Sequence, residues 1–318
     1  MKALITGITG FVAKYLADYL RKQGCEVWGT TRKSSPVLFN KTINIVTLDL
    51  NSSSQILQLV NDIQPDCIFH LAGQSSVRDS WDNKAMTFDS NIIMTINLLE
   101  AVRSSNVSRT VKILTIGSSE EYGEVKLEEM PIVEGNFLRP ISPYGISKAT
   151  VSMLVQHYYK AYSLNIIHAR PFNHIGPGQG VGFVTSDFAK QISEIERGEL
   201  RPILKVGNLD AKRDFTDVRD IVRAYYLLTQ SDKFGEIYNV CSGKPISIQD
   251  ILDKLIKMSL NTEIQIQIDV NKMRPSDFPY YYGDSSALKS LTNWSPVISI
   301  DESLQDIMNY WRSKQNSN

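Results

Sequence analysis

Short β-branched runs alternate with longer amphipathic stretches through the first half of the chain, and the first run, Lys2 to Thr6, leads directly into Gly7-Ile8-Thr9-Gly10-Phe11-Val12-Ala13. No other feature restricts the fold so narrowly. Lys2 to Thr6, Glu26 to Thr30, Ile43 to Leu48, Cys67 to Leu71 and Val111 to Ile116 predict strands, while Phe11 to Lys22, Ser54 to Ile63 and Met86 to Arg103 carry helical spacing. Near-continuous apolar strands joined by helical crossovers predict a parallel sheet covered on both faces, an α/β fold of the Rossmann-type doubly wound class. A further helix from Pro143 to Ala161 and a strand from Asn165 to Ala169 extend the pattern.

Glycines between a first strand and a first helix allow a tight turn and a close backbone approach to a pyrophosphate, whose charge is met by free N–H groups and the positive helix end. The spacing here is G-x-x-G-x-x-A, with Ala13 where a third glycine is common. Gly7, Thr9, Gly10, Phe11 and Val12 are therefore candidate cofactor-binding residues. An NAD site usually places an acid at the end of the second strand, and this chain has Gly29-Thr30-Thr31-Arg32-Lys33. Arg32, helped by Lys33 or Thr31, reads as a clamp for a 2′-phosphate, so NADP (NADPH) is the expected cofactor. Solvated charges after a strand are the alternative, and dual use of NAD also fits.

Thirty-four Lys and Arg balance 34 Asp and Glu, a formal net charge of zero, so the long-range field that draws nucleic acid or a membrane surface is missing. The expected partner is a small molecule. A hydrophobic fraction of 42% supports a large core. Cys25, Cys67 and Cys241 lack C-x-x-C spacing and read as reduced thiols, and His70, His157, His168 and His174 lack metal-ligand spacing, so no metal site is expected. The first residues show no cleavage pattern and no apolar run approaches the ~18 residues that span a bilayer, which predicts a cytoplasmic enzyme.

Tyr144 and Lys148 lie four residues apart on the helix predicted after Ser142-Pro143, so phenol and ammonium share a face. A cation beside a phenol of reference pKa ~10 brings the phenolate toward use near neutrality. Gly117-Ser118-Ser119-Glu120-Glu121-Tyr122-Gly123 follows the fifth strand, where an α/β sheet places its crevice, and the Ser118 hydroxyl can bond a carbonyl oxygen that Tyr144 protonates. Glu120 or Glu121 reads either as a buried acid/base or as a solvated loop carboxylate.

With these residues the chain resembles the extended short-chain dehydrogenase/reductases over essentially its whole length. The matching positions are the TGxxGxxA start at Thr6, Asp49-Leu50, His70-Leu71-Ala72-Gly73, Ser118 and Tyr144-x-x-x-Lys148. The resemblance implies that Asp49 and Leu50 lie at the adenine and that Leu71, Ala72 and Gly73 line the cofactor. It further implies that Ser118, Tyr144 and Lys148 form the catalytic triad, with Lys148 also on the nicotinamide ribose, and that Asn91 lies near the cofactor.

The second half resembles the branch acting on GDP-sugars, through Arg170 to Gly178, Gly182-Phe183-Val184-Thr185, Val206 to Phe215 and Arg274-Pro275. This implies a GDP-sugar substrate touched by Asn173, Val184, Thr185, Arg213 and Arg274, and paired guanidinium forks suit a diphosphate. Glu120 stands where GDP-mannose 4,6-dehydratases carry a catalytic glutamate, but those enzymes place a basic residue where this chain has Ser186-Asp187. The strings from Gly117, Asn173 and Arg213 look most like reductases of GDP-4-dehydro-6-deoxy-D-mannose. The implied activity is NAD(P)H-dependent reduction of the C4 keto group to GDP-D-rhamnose, with the 4,6-dehydratase and a reductase giving GDP-6-deoxy-D-talose as alternatives. The implied organisation is a cofactor domain over residues 1–170 with a returning segment near 214–242, a sugar-nucleotide lobe over 171–213 and 243–318, and a homodimer through the helices containing Met86 to Arg103 and Pro143 to Ala161.

Overall fold

The computed structural model describes residues 1–33, 42–260, 263–272 and 278–314. β1 (Lys2–Thr6) is buried from Ala3 onward, which leaves it only one stable place, the middle of a sheet with both faces covered. Beside it the chain lays down β2 (Glu26–Thr31) and β3 (Ile43–Thr47), then crosses back to β4 (Cys67–His70), β5 (Lys112–Ile116) and β6 (Asn165–Pro171). With the later β10 (Ile237–Val240) the order is β10-β6-β5-β4-β1-β2-β3, every pairing parallel. The order reverses between β1 and β4, and the crevice at their carboxyl ends is where such sheets bind ligands.

Two apolar layers hold the sheet. α1 (Phe11–Lys22) buries Ala13, Leu16, Ala17 and Leu20 on one face, beside Ile221, Tyr225 and Leu228 of α8 (Val218–Thr229). The other face is covered by α2 (Ser53–Ile63), α5 (Met94–Arg103) and α6 (Pro143–Tyr162), through Val60, Leu98, Val151 and Val155 among others. Each fully buried side chain of this kind contributes roughly 1.5–3 kcal/mol.

The sequence predicts one helix over Met86 to Arg103. In the structure two short helices, α3 (Val77–Asp82) and α4 (Lys84–Phe88), precede a π-helical turn at Asp89–Ile93 that leads into α5. The wider turn brings the buried Asn91 side chain to the loop after β4, and the Thr95 hydroxyl donates to the Asn91 carbonyl at 2.6 Å.

A second layer is built from β7 (Asn173–Ile175), α7 (Val184–Glu196), β8 (Ile203–Val206), β9 (Lys212–Asp217), β11 (Pro245–Ser247), α9 (Ile248–Lys257), β12 (Gln265–Ile268) and β13 (Tyr280–Tyr281). β9 pairs with β7, β11 and β13, while β8 pairs with β12. Phe188, Ile192, Leu204, Ile251 and Leu255 form this layer's core with Leu304 and Ile307 of the last helix, Ile300–Ser313.

Candidate active site

The chain turns at Gly7, whose φ of 72° lies in the left-handed region. A Cβ there would stand 2.9 Å from the Ala72 Cα, so the turn and the loop after β4 meet backbone to backbone. Gly10 enters α1 with extended backbone, no side chain caps the helix, and its first turn holds no acid. The free amides sit at the wall of a cleft of about 650 Å³ lined by Gly7, Thr9, Gly10, Thr30, Thr31, Arg32, Lys33, Leu48, Leu50, Leu71, Ala72, Gly73 and Gln74. Gly-rich backbone at a helix N-terminus and two cations at the end of β2 fit a dinucleotide with an anionic group on its adenosine ribose.

Five of the expected cofactor residues, Phe11, Val12, Asp49, Tyr144 and Lys148, are not in that lining. Asp49 is exposed and its Oδ1 accepts the Asn51 amide at 3.0 Å, while its neighbours Leu48 and Leu50 reach the cleft. Phe11 and Val12 are half-buried on α1, and the Phe11 ring stacks on His174 with centroids 6.4 Å apart and planes within 3°.

The proposed catalytic groups converge at the carboxyl end of β5. Ser142 caps α6 by accepting the Gly145 amide at 2.9 Å, and Pro143 starts the helix with its φ already set. A Cβ on Gly145 would lie 2.5 Å from the Glu120 carbonyl oxygen, so the start of α6 rests directly on the turn after Ser118. The Ser118 side chain consequently lies near the buried Tyr144 phenol, close enough to favour its ionised form. One helical turn on, the Lys148 ammonium lies 5.8 Å from the Tyr144 ring centroid and donates to the Ile116 carbonyl at 2.8 Å. Burial raises the Tyr144 pKa well above its ordinary value, with Glu120 and Glu121 adding to the rise and Ser118 opposing it. Burial also lowers Lys148 to about 8, against the opposing charge of Glu121. The resident forms near neutrality are therefore a protonated phenol and a cation that is easily discharged.

The two carboxylates left open by the sequence separate cleanly. Glu120 is half-buried and its charge acts on Tyr144 and Tyr281. Glu121 is fully buried and accepts from the Ser118 amide, His168 and Arg170. Burial works against its charge, but His168, Arg170 and the Ser118 amide outweigh it and hold the carboxyl below its usual range.

Asn91 joins the cofactor loop to the catalytic helix. Its Oδ1 accepts the Gln74 amide at 2.8 Å, and its Nδ2 donates to the Gln74 carbonyl at 3.1 Å and to Ser147 Oγ at 2.8 Å. Ser147 in turn donates to the Tyr144 carbonyl. A second chain runs from the Ala72 amide through Thr6 and His70 to Thr95 and the Asn91 carbonyl. Because the Thr95 hydroxyl is already spent on that carbonyl, His70 donates from Nε2 and accepts at Nδ1. Burial with the Lys148 charge depresses its pKa to about 3, so it stays neutral. Sequence reasoning named His70 only within the string His70 to Gly73 and as a histidine without metal-ligand spacing, and it did not single out Gln74, whose signal is adjacency to Leu71–Gly73.

A model of the GDP-mannose 4,6 dehydratase family matches residues 4–307. The chain belongs to that family. It is 33% identical over 313 residues to the GDP-6-deoxy-D-mannose reductase of Pseudomonas aeruginosa, covering 98% of each chain. The human GDP-mannose 4,6 dehydratase is 29% identical over 338 residues, covering 96% of this chain and 90% of the other. Among solved structures, RMD from Pseudomonas aeruginosa complexed with NADPH superposes with a TM-score of 0.84 at 32% identity, over 98% of this chain and 99% of that one.

The residues expected on the sugar side of this family member are less uniform. Asn173 is exposed at the start of β7, and Val184 begins α7 half-buried. Thr185, at the second position of α7, is 0% exposed and its hydroxyl is buried, so its side chain is turned into the lobe. Arg213 is half-buried on β9 and donates Nη1 to the Lys212 and Phe278 carbonyls at 2.8 and 2.6 Å. Arg274 lies outside the described residues. Among the described residues no group of His, Cys, Asp and Glu could hold a metal ion, and no helix is long and apolar enough to cross a membrane.

Proposed function

We propose that this chain reduces the C4 keto group of GDP-4-dehydro-6-deoxy-D-mannose with NADPH, giving GDP-D-rhamnose. The observation that carries the reading is a buried phenol, kept protonated by its surroundings, with the Ser118 side chain and the Lys148 ammonium beside it. Full-length similarity to a GDP-6-deoxy-D-mannose reductase supports the substrate, and the basic end of β2 together with the NADPH-bound relative supports the cofactor.

NADPH supplies the hydride that reaches C4. Tyr144, which burial keeps in its protonated form, donates its proton to O4. Ser118 hydrogen-bonds the same oxygen and holds it against Tyr144. Lys148 stabilises the phenolate that remains and holds the nicotinamide ribose. Gly7, Gly10 and the α1 amides take the diphosphate, Arg32 the 2′-phosphate, and Asn173, Val184 and Arg213 the sugar nucleotide, with Arg274 on its diphosphate.

Glu120 favours a second reading, a GDP-mannose 4,6-dehydratase, because its charge acts on Tyr144 and it occupies the dehydratases' glutamate position. Incubation with each sugar separates them. Stoichiometric NADPH oxidation with the keto sugar alone is expected, and consumption of GDP-mannose without net cofactor change would replace the reductase by the lyase. NMR of the product distinguishes the rhamno from the talo configuration at C4. A cytoplasmic homodimer accompanies this reading, and the exposed Ile93 and, on the catalytic helix itself, the exposed Ile146 and Met153 suit its interface.

A further inference from the structure

Beneath the catalytic turn lies an ion pair that the proposed mechanism does not use. Glu121 is 0% exposed, its Oε1 accepts the Ser118 amide at 2.9 Å and His168 Nε2 at 3.0 Å, and its Oε2 accepts Arg170 Nε at 2.6 Å. A carboxylate only accepts, so His168 carries its proton on Nε2 and accepts from Thr115 at Nδ1, 2.8 Å away. Arg170 spends Nη2 on Ser152 Oγ of α6 at 2.8 Å and lies over the Tyr122 ring at 4.7 Å. One carboxylate thereby ties the Ser118 turn to β6 and, through Arg170, to the helix bearing Tyr144 and Lys148. The site was made room for: a Cβ on Gly117 would fall 2.0 Å from Glu121 Oε1 and 2.3 Å from His168 Nε2.

We propose that Glu121 is a positioning residue of the reduction, holding the Ser118 main chain so that the Ser118 hydroxyl stays against the Tyr144 phenol. This rests on the reductase reading. A residue that only holds the fold together could be as buried and as bonded. What singles out Glu121 is that its bond goes to the amide of Ser118 itself, while Ser118 Oγ accepts the Glu120 amide at 3.2 Å, so the turn is closed from both ends. The charged and titratable groups around it are His168 and Arg170 on β6, Tyr144 and Lys148 on α6, and Tyr122 and Glu120 on its own turn.

A double-mutant cycle on the full chain tests the role, with Glu121→Gln made in the wild type and in a Ser118→Ala background. A residue acting through Ser118 lowers kcat about 30-fold in the first background and less than about 3-fold in the second, with the KM for the keto sugar nearly unchanged. Equal losses in both backgrounds would overturn the proposal. Should Glu121→Gln fail to fold, Gly117→Ala displaces the carboxylate by a methyl group without removing a charge, and the same cycle is read with it. If the wild type leaves the keto sugar unreduced, the reductase reading fails by itself. The positioning role is then read by amide hydrogen exchange, where deprotection confined to residues 117–122 in either variant upholds it and unaltered protection rejects it.

Discussion

The cofactor cleft and the sugar lobe are built by different means. The cleft is made of backbone: a left-handed glycine pressed on Ala72, uncapped amides at the start of α1, and the loop after β4 held by Asn91. The lobe side relies on individual side chains, and these range from exposed Asn173 to half-buried Arg213 and sealed Thr185. A backbone site survives in a motif because few residues can take its φ/ψ values or tolerate its close approaches. A side-chain site depends on which way each residue faces, and a motif string does not say.

Tyr144→Phe should give the largest effect. Loss of general acid catalysis lowers kcat by about 10²–10⁴-fold, with NADPH and nucleotide-sugar binding nearly intact. Single-turnover kinetics and a cofactor titration check both halves of that statement, and unimpaired turnover would remove Tyr144 from the mechanism. On the cofactor side, Arg32→Ala loses charge-assisted bonds worth about 1.5–3 kcal/mol, so the Kd of NADPH should rise about 10–100-fold while that of NADH changes little. Equal weakening of the two would reject the 2′-phosphate clamp.

On the lobe side, Asn173→Ala removes a neutral hydrogen bond and should raise the KM for the keto sugar about 3–10-fold without moving the Kd of NADPH. A change in both would blur the division between the regions. The smallest effect is expected from pH. Lys148, lowered to about 8 by burial, keeps its ammonium below that pH and loses it above, so kcat/KM should fall as pH rises through about 8. A profile flat between about pH 7 and pH 9 would show that the ammonium is not required in the free enzyme.

How far the site was legible follows the same division. Tyr144 and Lys148 could be paired from their four-residue spacing because helical geometry puts i and i+4 on one face, and Ser142-Pro143 marks where that helix begins. Glu120 and Glu121 could not be told apart, since neighbours in a single turn differ in burial only through what packs on each. A usable signal was present in β6, where His168 and Arg170 are two apart among Ile166, Ile167, Ala169 and Pro171 and so share a side. Two buried polar groups on one side of a central strand require a partner, and Glu121 is that partner.

Local rules acting along the chain were enough to establish the parallel sheet, the glycine turn at Gly7 and Gly10, the helix carrying Tyr144 and Lys148, and the absence of an acid at the end of β2. Each depends on periodicity, capping or backbone conformation within a few residues. Only the tertiary structure decided that Thr185 faces inward, that Asp49 spends Oδ1 on its own turn, that a π-helical turn brings Asn91 to Gln74, and that Glu121 closes on Arg170 across 49 residues of sequence. Those outcomes depend on which surfaces meet once the layers pack, and burial, which sets the ionisation of Tyr144, Lys148 and His70, exists only after they have met.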